Sequence, residues 1–168
     1  VKNKVVLDYC AGNGEDGVYV AKNGAKHVYG IDISDVSIEN CKQLSIKNNV
    51  QDKTTYIIAD AENTKFENNQ FDIITCLDVL EHIPKERLIQ FVEAIRNSLN
   101  KDGLAILQVP NLQSPFGYLH HFNDITHISG FVEHSLTQVL LSTGFNKMSF
   151  YGFEELYEKK PKITEKKI

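Results

Sequence analysis

The sequence predicts an α/β domain built on a doubly wound, mostly parallel sheet with helices on both faces. Three observations predict it. Strand-length apolar runs alternate with helix-length amphipathic stretches along the chain. One run, Phe71-Asp72-Ile73-Ile74-Thr75-Cys76-Leu77, is apolar enough to be buried on both faces, as central parallel strands are. Several strand-like runs end in an acidic residue or a glycine-rich turn, and in such sheets the ligand site lies beyond the carboxyl ends of the strands.

Lys4-Val5-Val6-Leu7-Asp8 reads as the first strand, followed at once by a glycine-rich turn. Residues 15–24 then read as a helix stopped by Gly24. His27 to Asp32 is a second strand. Ser34 caps a helix through about Lys47, with Ile38, Cys41, Leu44 and Ser45 on one face. Thr54 to Ala59 gives a third strand and Phe71 to Leu77 a fourth. Pro84 suits the first turn of a helix in which Leu88, Phe91, Val92, Ile95 and Leu99 keep amphipathic spacing, and which ends near Gly103. Leu104 to Val109 is a fifth strand, and residues 111–131 read as irregular. A helix over Glu133–Thr143 closes at Gly144, and Lys147–Phe153 is a last strand whose antiparallel partner is not evident.

A length of 168 residues with 42% apolar side chains suits one domain with a real core. No apolar run approaches the roughly 18–20 residues of a membrane-spanning helix. Cysteines at 10, 41 and 76 form neither a disulfide framework nor a zinc spacing, and point to a reducing, cytoplasmic setting. The formal net charge is -4, but the last ten residues hold five lysines and one glutamate, so residues 1–158 carry -8. We therefore divide the chain into a domain over 1–155 and a Lys-rich tail over 156–168. The acidic body argues against a dedicated nucleic-acid binder.

The chemistry is expected where the strands end. In Asp8-Tyr9-Cys10-Ala11-Gly12-Asn13-Gly14, the glycines permit a sharp turn and a close backbone approach to a ligand. With Gly17, this segment matches Gly-x-Gly-x-x-Gly, and Asp32 follows twenty positions after Gly12. A carboxylate at the tip of the second strand can accept hydrogen bonds from both hydroxyls of a ribose. Asp60 closes the third strand, where it can accept from an adenine amino group with Ile33 and Ala61 flanking the base. Each of these also has a bland reading as a loop or capping carboxylate, but Asp8, Asp32 and Asp60 in series favour a ligand edge. The fourth strand runs into Leu77-Asp78-Val79-Leu80-Glu81-His82-Ile83-Pro84.

Taken together, Leu7 to Gly14, Gly30-Ile31-Asp32, Ala59-Asp60-Ala61 and Phe71 to Ile83 resemble the class I S-adenosylmethionine-dependent methyltransferases over about residues 4–153. The resemblance implies a Rossmann-like fold and S-adenosylmethionine as cofactor. It implies cofactor-binding roles for Asp8, Cys10, Ala11, Gly12, Gly14, Asp32, Ile33, Asp60, Ala61, Leu77 and Asp78. The sequence departs from the family in two places. Cys10 stands where the family turn carries its first glycine, and the family's closing strand pair is expected to be incomplete. Family members usually carry a helical segment before the first strand, so we expect the substrate cover to come from outside the residues at hand.

The implied reaction moves a methyl group to a small-molecule, glycan or lipid-precursor acceptor, at oxygen. An oxygen acceptor needs its proton removed, and histidine has a suitable pKa. His27 and His134 fall at element starts and read as structural, and His82 in the family's Glu-His pair reads as architectural. His127, oriented by Asp124, is the candidate base, in a loop on the family's acceptor side. His120, His121, His127 and Asp124 match no defensible metal spacing, so no metal site is assigned. The alternative is a cofactor-binding subunit without its own acceptor site. A nicotinamide dehydrogenase fits less well, because its first fingerprint glycine follows the strand directly. A nucleic-acid methyltransferase would rest on the Lys-rich tail alone. Oligomeric state is not legible in the sequence.

Overall fold

The structure, a computed structural model, describes residues 1–152 and, in their backbone, residues 153–154 and Lys162–Lys167. Among these residues five parallel strands form one sheet: β1 (Val5–Tyr9), β2 (His27–Asp32), β3 (Thr54–Ile58), β4 (Phe71–Leu77) and β5 (Leu99–Gln108), in the order β3-β2-β1-β4-β5. The helices are α1 (Glu15–Lys22), α2 (Asp35–Lys47), α3 (Lys85–Ser98), α4 (Pro115–Asn123) and α5 (Glu133–Ser142). The strand order reverses between β1 and β4, so the carboxyl ends of these two strands open the crevice where such sheets bind ligands.

Alternation along β1 sends side chains to opposite faces. Leu7 and Tyr9 join Ile31, Phe71, Ile74 and Cys76 in a core closed by Leu88, Phe91, Val92 and Ile95 of α3 and by Leu136 and Leu140 of α5. Val6 instead joins Val28, Val18 and Ala21, under α1. Ile38 and Cys41 of α2 pack with Tyr56 and Ala11. Both faces are thus covered, which is why β1 and β4 are apolar at nearly every position. The Ser34 side chain caps α2 by accepting from the Ser37 N–H at 3.1 Å, as the sequence predicts.

Three expectations are revised. First, α3 stops at Ser98 rather than near Gly103, because Leu99 already pairs with Phe71 in the sheet. The chain then bulges, and regular pairing resumes at Ile73 and Leu104. Second, residues 111–131 are not irregular throughout. They hold α4, which starts on Pro115 after Ser114. Third, the last strand, β6 (Ser149–Glu154), does have an antiparallel partner, β7 (Lys162–Lys167), within the predicted tail. This pair forms its own two-stranded sheet. The domain boundary expected after residue 155 lies outside the described residues. No helix among those described is long and apolar enough to cross a membrane.

Candidate active site

The residues singled out at strand ends gather on one edge of the sheet. Asp8 pairs in register with Gly30 and Thr75, and Asp32 with Ile58, so the ends of β1 to β4 are level. Beyond β1 the chain turns through three left-handed residues, Cys10 (φ 57°), Gly12 (φ 51°) and Gly14 (φ 81°). Glycine adopts this conformation freely, whereas cysteine pays a steric penalty for it. The family's glycine at position 10 thus has a backbone reason, and Cys10 meets the same requirement under strain.

The turn is sewn to β2. Ala11 N–H donates to the Ile31 carbonyl at 2.8 Å, and Gly12 N–H donates to Asp32 Oδ2 at 3.0 Å. The other Asp32 oxygen accepts from Ser34 N–H at 2.9 Å. One carboxylate therefore fixes both the turn after β1 and the entry to α2. Each of its oxygens keeps a further lone pair for a ligand. Against the turn, α2 packs so tightly that a Cβ on Gly14 would come within 2.9 Å of the Cys41 backbone, and the Cys41 thiol donates to the Gly12 carbonyl.

Asp8 sits beneath this turn, buried, and accepts from the Thr75 hydroxyl at 2.7 Å. Burial pushes its carboxyl up to about 6, against the pull of Thr75, with Asp16 and Asp32 adding to the rise. Cys10 reaches the surface, yet crowding by protein, followed by the Asp32, Asp8 and Asp60 carboxylates, pushes its thiol up to about 12. The thiol therefore stays protonated among three acids. Asp60 organises its own loop, accepting from Glu62 N–H at 3.0 Å and from the Asn63 side-chain amide at 2.6 Å.

A nucleoside-bearing cofactor fits these residues. A Cβ on Gly12 would meet nothing within 4 Å, so space lies open over the turn. Ile33 is 72% exposed at the tip of β2, an apolar side chain displayed beside the Asp32 carboxylate. Ala61 is half-buried next to Asp60. Ala11, by contrast, turns its methyl group into the core against Ile38, Cys41 and Tyr56, leaving its backbone as its part of the site. Beyond β4, Leu77 is half-buried and Asp78 takes a left-handed φ of 53°. The Gln108 amide donates to Asp78 Oδ2 at 2.8 Å.

The region around His127 is denser than the sequence shows. Glu81 is fully buried, and the loop at 124–129 is zipped to it: Ile128 N–H and Ser129 N–H both donate to the Glu81 carbonyl, at 2.8 and 2.9 Å. The zip brings His127 Nε2 to 4.0 Å from Glu81 Oε1 and 3.9 Å from Asp124 Oδ2. His127 Nδ1 lies 3.0 Å from the His121 carbonyl, an acceptor, so the proton sits on Nδ1 and Nε2 carries the lone pair. The His82 and His127 rings meet edge to face, 4.6 Å apart. Glu81, His82 and His127 each offer one metal-ligating atom, all within 4.8 Å of one another. His120 and His121 contact the His127 ring but do not belong to that trio. Burial, with Asp78 adding, pushes the Glu81 carboxyl up to about 7.

Sequence reasoning missed Thr75, Gln108 and Thr126 as partners of Asp8, Asp78 and Asp124. Thr75 and Gln108 are set by strand register, Thr126 by a loop turn. Glu81 and His82 fall in the Asp78–Ile83 run that the sequence singles out, but His82 reads there as architectural and Glu81 receives no role.

Comparison with known proteins bears on the family and the fold. The family described as a methyltransferase domain matches residues 1–149. A ubiquinone biosynthesis O-methyltransferase of Neisseria meningitidis serogroup C is 32% identical over 120 residues, covering 71% of this chain and 49% of the relative. The chain thus spans about half the length of that relative. Among solved structures, a putative O-methyltransferase from Nostoc punctiforme superposes with a TM-score of 0.78 at 18% identity, over 97% of this chain and 51% of the other. A phosphoethanolamine N-methyltransferase from Haemonchus contortus, solved with phosphoethanolamine and S-adenosylhomocysteine, gives a TM-score of 0.59 at 22% identity, over 64% of this chain and 22% of its own.

Proposed function

This chain belongs to the methyltransferase-domain family, and from that premise we propose that it transfers a methyl group from S-adenosylmethionine to a small-molecule acceptor at oxygen. The observation that carries the reading is the left-handed turn Cys10–Gly14, tied by Gly12 N–H to Asp32 at the point where the strand order reverses. S-adenosylmethionine supplies a methyl group on a positively charged sulfur. The turn would pass its methionine portion, with Gly12 leaving room and Asp8 orienting the turn from below. Asp32 would take the ribose hydroxyls, and Ile33, Ala61 and Asp60 the adenine. Leu77 and Asp78 would line the path to the acceptor. Four carboxylates along this edge suit a cationic ligand.

On the acceptor side, the residues hold and move a proton. His127 has its Nδ1–H committed to the His121 carbonyl, which presents Nε2 as the proton acceptor for an acceptor hydroxyl. Asp124 and Glu81, both near 4 Å from Nε2, would stabilise the imidazolium that forms. Positioning of the acceptor supplies much of the remaining rate. The oxygen acceptor is supported by the name of the Neisseria relative. The acidic body speaks against nucleic acid as acceptor, and three free cysteines suit a reducing, cytoplasmic setting.

The test has two parts: calorimetric titration with S-adenosylhomocysteine, and transfer of labelled methyl from S-adenosylmethionine to a panel of phenols, alcohols and amines. We expect one cofactor site per chain and label on a hydroxyl compound that His127→Ala no longer modifies, with cofactor affinity kept. Binding without label on any panel member would favour a non-catalytic, cofactor-binding subunit. Absence of binding would overturn both readings.

A further inference from the structure

The proposed reaction uses Glu81 only as a counter-charge 4.0 Å from His127 Nε2, which does not account for its complete burial. Its side chain is 0% exposed, and neither carboxylate oxygen has a hydrogen-bond donor among the described residues. A carboxylate removed from water without a partner is costly, so its presence needs a counterpart. What faces it is chemically specific. His127 turns its Nε2 lone pair toward Glu81 Oε1, with Nδ1 held by the His121 carbonyl. His82 Nδ1 contacts both the carbonyl of Thr126, at 3.3 Å, and its hydroxyl, at 3.0 Å. That hydroxyl donates onward to Asp124 at 2.6 Å, so His82 Nδ1 is the donor and the lone pair falls on its Nε2.

Two imidazoles whose second nitrogen is anchored to a carbonyl or hydroxyl, beside an unpartnered carboxylate, are the parts of a metal site with its outer shell in place. We propose that Glu81, His82 and His127 bind a divalent transition-metal ion of the zinc or manganese kind. Their ligand atoms lie within 4.8 Å of one another, against about 3.4 Å for neighbouring ligands around an ion at ~2.1 Å, so small side-chain rotations close the site. Two nitrogens and one oxygen favour these ions over magnesium or calcium, which take oxygen ligands. The frame is fixed: besides the two amides on the Glu81 carbonyl, the Ser129 hydroxyl donates to the Ile83 carbonyl at 2.7 Å. Three protein ligands leave positions open for water or an acceptor oxygen.

With the ion in place, the Nε2 lone pair of His127 is a ligand and no longer free to take a proton. The ion then does the equivalent work by making a bound hydroxyl more acidic, its proton passing to solvent. This role rests on the oxygen acceptor of the reading above and takes the place of His127 as its base; the binding itself depends on neither.

Binding is read on the whole chain without cofactor or acceptor, so its failure and the failure of methyl transfer are separate results. The chain is stripped with a chelator, dialysed, and titrated calorimetrically with Zn2+ and, for its visible absorption, with Co2+. One ion per chain is expected. Glu81→Gln, which keeps the shape and removes the charge, and His127→Gln are each expected to weaken binding at least tenfold, with far-ultraviolet circular dichroism showing both folded. His120→Ala, outside the trio, should bind as the parent does. No stoichiometric binding, or binding kept in Glu81→Gln, or binding lost in His120→Ala alone, overturns the site.

Discussion

The amide of Gly12 donates to Asp32 Oδ2 at 3.0 Å across the gap between the first and second strands, while Ser34 N–H donates to Oδ1 of the same carboxylate at 2.9 Å. Asp32 therefore holds both the turn and the entry to α2, and in the proposed reading its spare lone pairs take a ribose. Asp32→Ala removes both. It should weaken S-adenosylhomocysteine binding by tenfold or more in calorimetry, about 1.4 kcal/mol, and should lower stability by about 1–3 kcal/mol through the two amides left without acceptors. Asp32→Asn keeps one acceptor and should fall between the two. Unchanged affinity in both variants would remove Asp32 from the binding edge.

Asp8 makes a pH-dependent contribution whose sign follows from burial. Its carboxyl is lifted from an ordinary 3.8 to about 6, so the folded chain holds this proton more tightly than the unfolded one. Folding takes up a proton between those values, and this contribution to stability is fully present below pH 4 and lost as pH rises through about 6. At neutral pH the buried charge costs at most about 3 kcal/mol. Asp8→Asn removes the charge and still accepts from Thr75. Its melting temperature should exceed the parent's at pH 7.5 and converge with it near pH 4. A difference that stays constant across that range would mean that Asp8 does not titrate there. In the proposed reading the charge faces a cationic ligand, so the same variant should bind S-adenosylmethionine more weakly.

Most of this edge was legible because it is built from local signals. The Asp8–Gly14 turn, the Ser34 cap and the apolar Phe71–Leu77 strand each follow from a few neighbouring residues. The α4 helix was not legible, for a physical reason. Of its nine residues only His121 is buried, while Phe116, Tyr118, Leu119 and Phe122 are exposed, so no apolar stripe marks an inward face. The proximity of Glu81 to His127 was equally hidden. It depends on two amides of residues 128 and 129 finding the carbonyl of residue 81, 47 and 48 positions earlier, which no local pattern encodes. The final hairpin escaped because its second strand, Lys162–Lys167, is lysine-rich and lacks an apolar face.

Cys10 tests whether the family's glycine at this position answers to backbone or to chemistry. At φ 57° it occupies a region that costs a non-glycine residue about 1–2 kcal/mol, which Cys10→Gly relieves at the expense of a floppier unfolded chain. The two effects nearly offset, so the urea midpoint should move by no more than about 1 kcal/mol equivalent, with cofactor affinity kept. Cys10→Val places a β-branched side chain in the same conformation and should be clearly less stable than either. Loss of cofactor binding in Cys10→Gly would instead assign the thiol a direct contact.

Gly30 lies opposite Asp8 in the β1–β2 register, and the reason for a glycine there is a ring rather than a turn. A Cβ at this position would stand 2.5 Å from Tyr56 Cδ1 and 2.6 Å from Cε1, with the Ala11 methyl at 3.1 Å. At its other end the ring's hydroxyl lies 2.8 Å from where a Cβ on Gly17 would be, so Tyr56 occupies space that two glycines leave, one on the strand and one on the helix. Gly30→Ala should therefore destabilise the chain by about 1–3 kcal/mol through overpacking. It should also weaken S-adenosylhomocysteine binding, since Ala11, pressed from below, belongs to the turn. Tyr56→Leu alone leaves a void and also destabilises, but in the double variant the void receives the new methyl group. Chemical denaturation of the four proteins should then give a double variant more stable than the sum of the single losses predicts, by at least about 0.5 kcal/mol. Strict additivity would show that the methyl group clashes elsewhere and that Tyr56 is not what requires glycine at position 30.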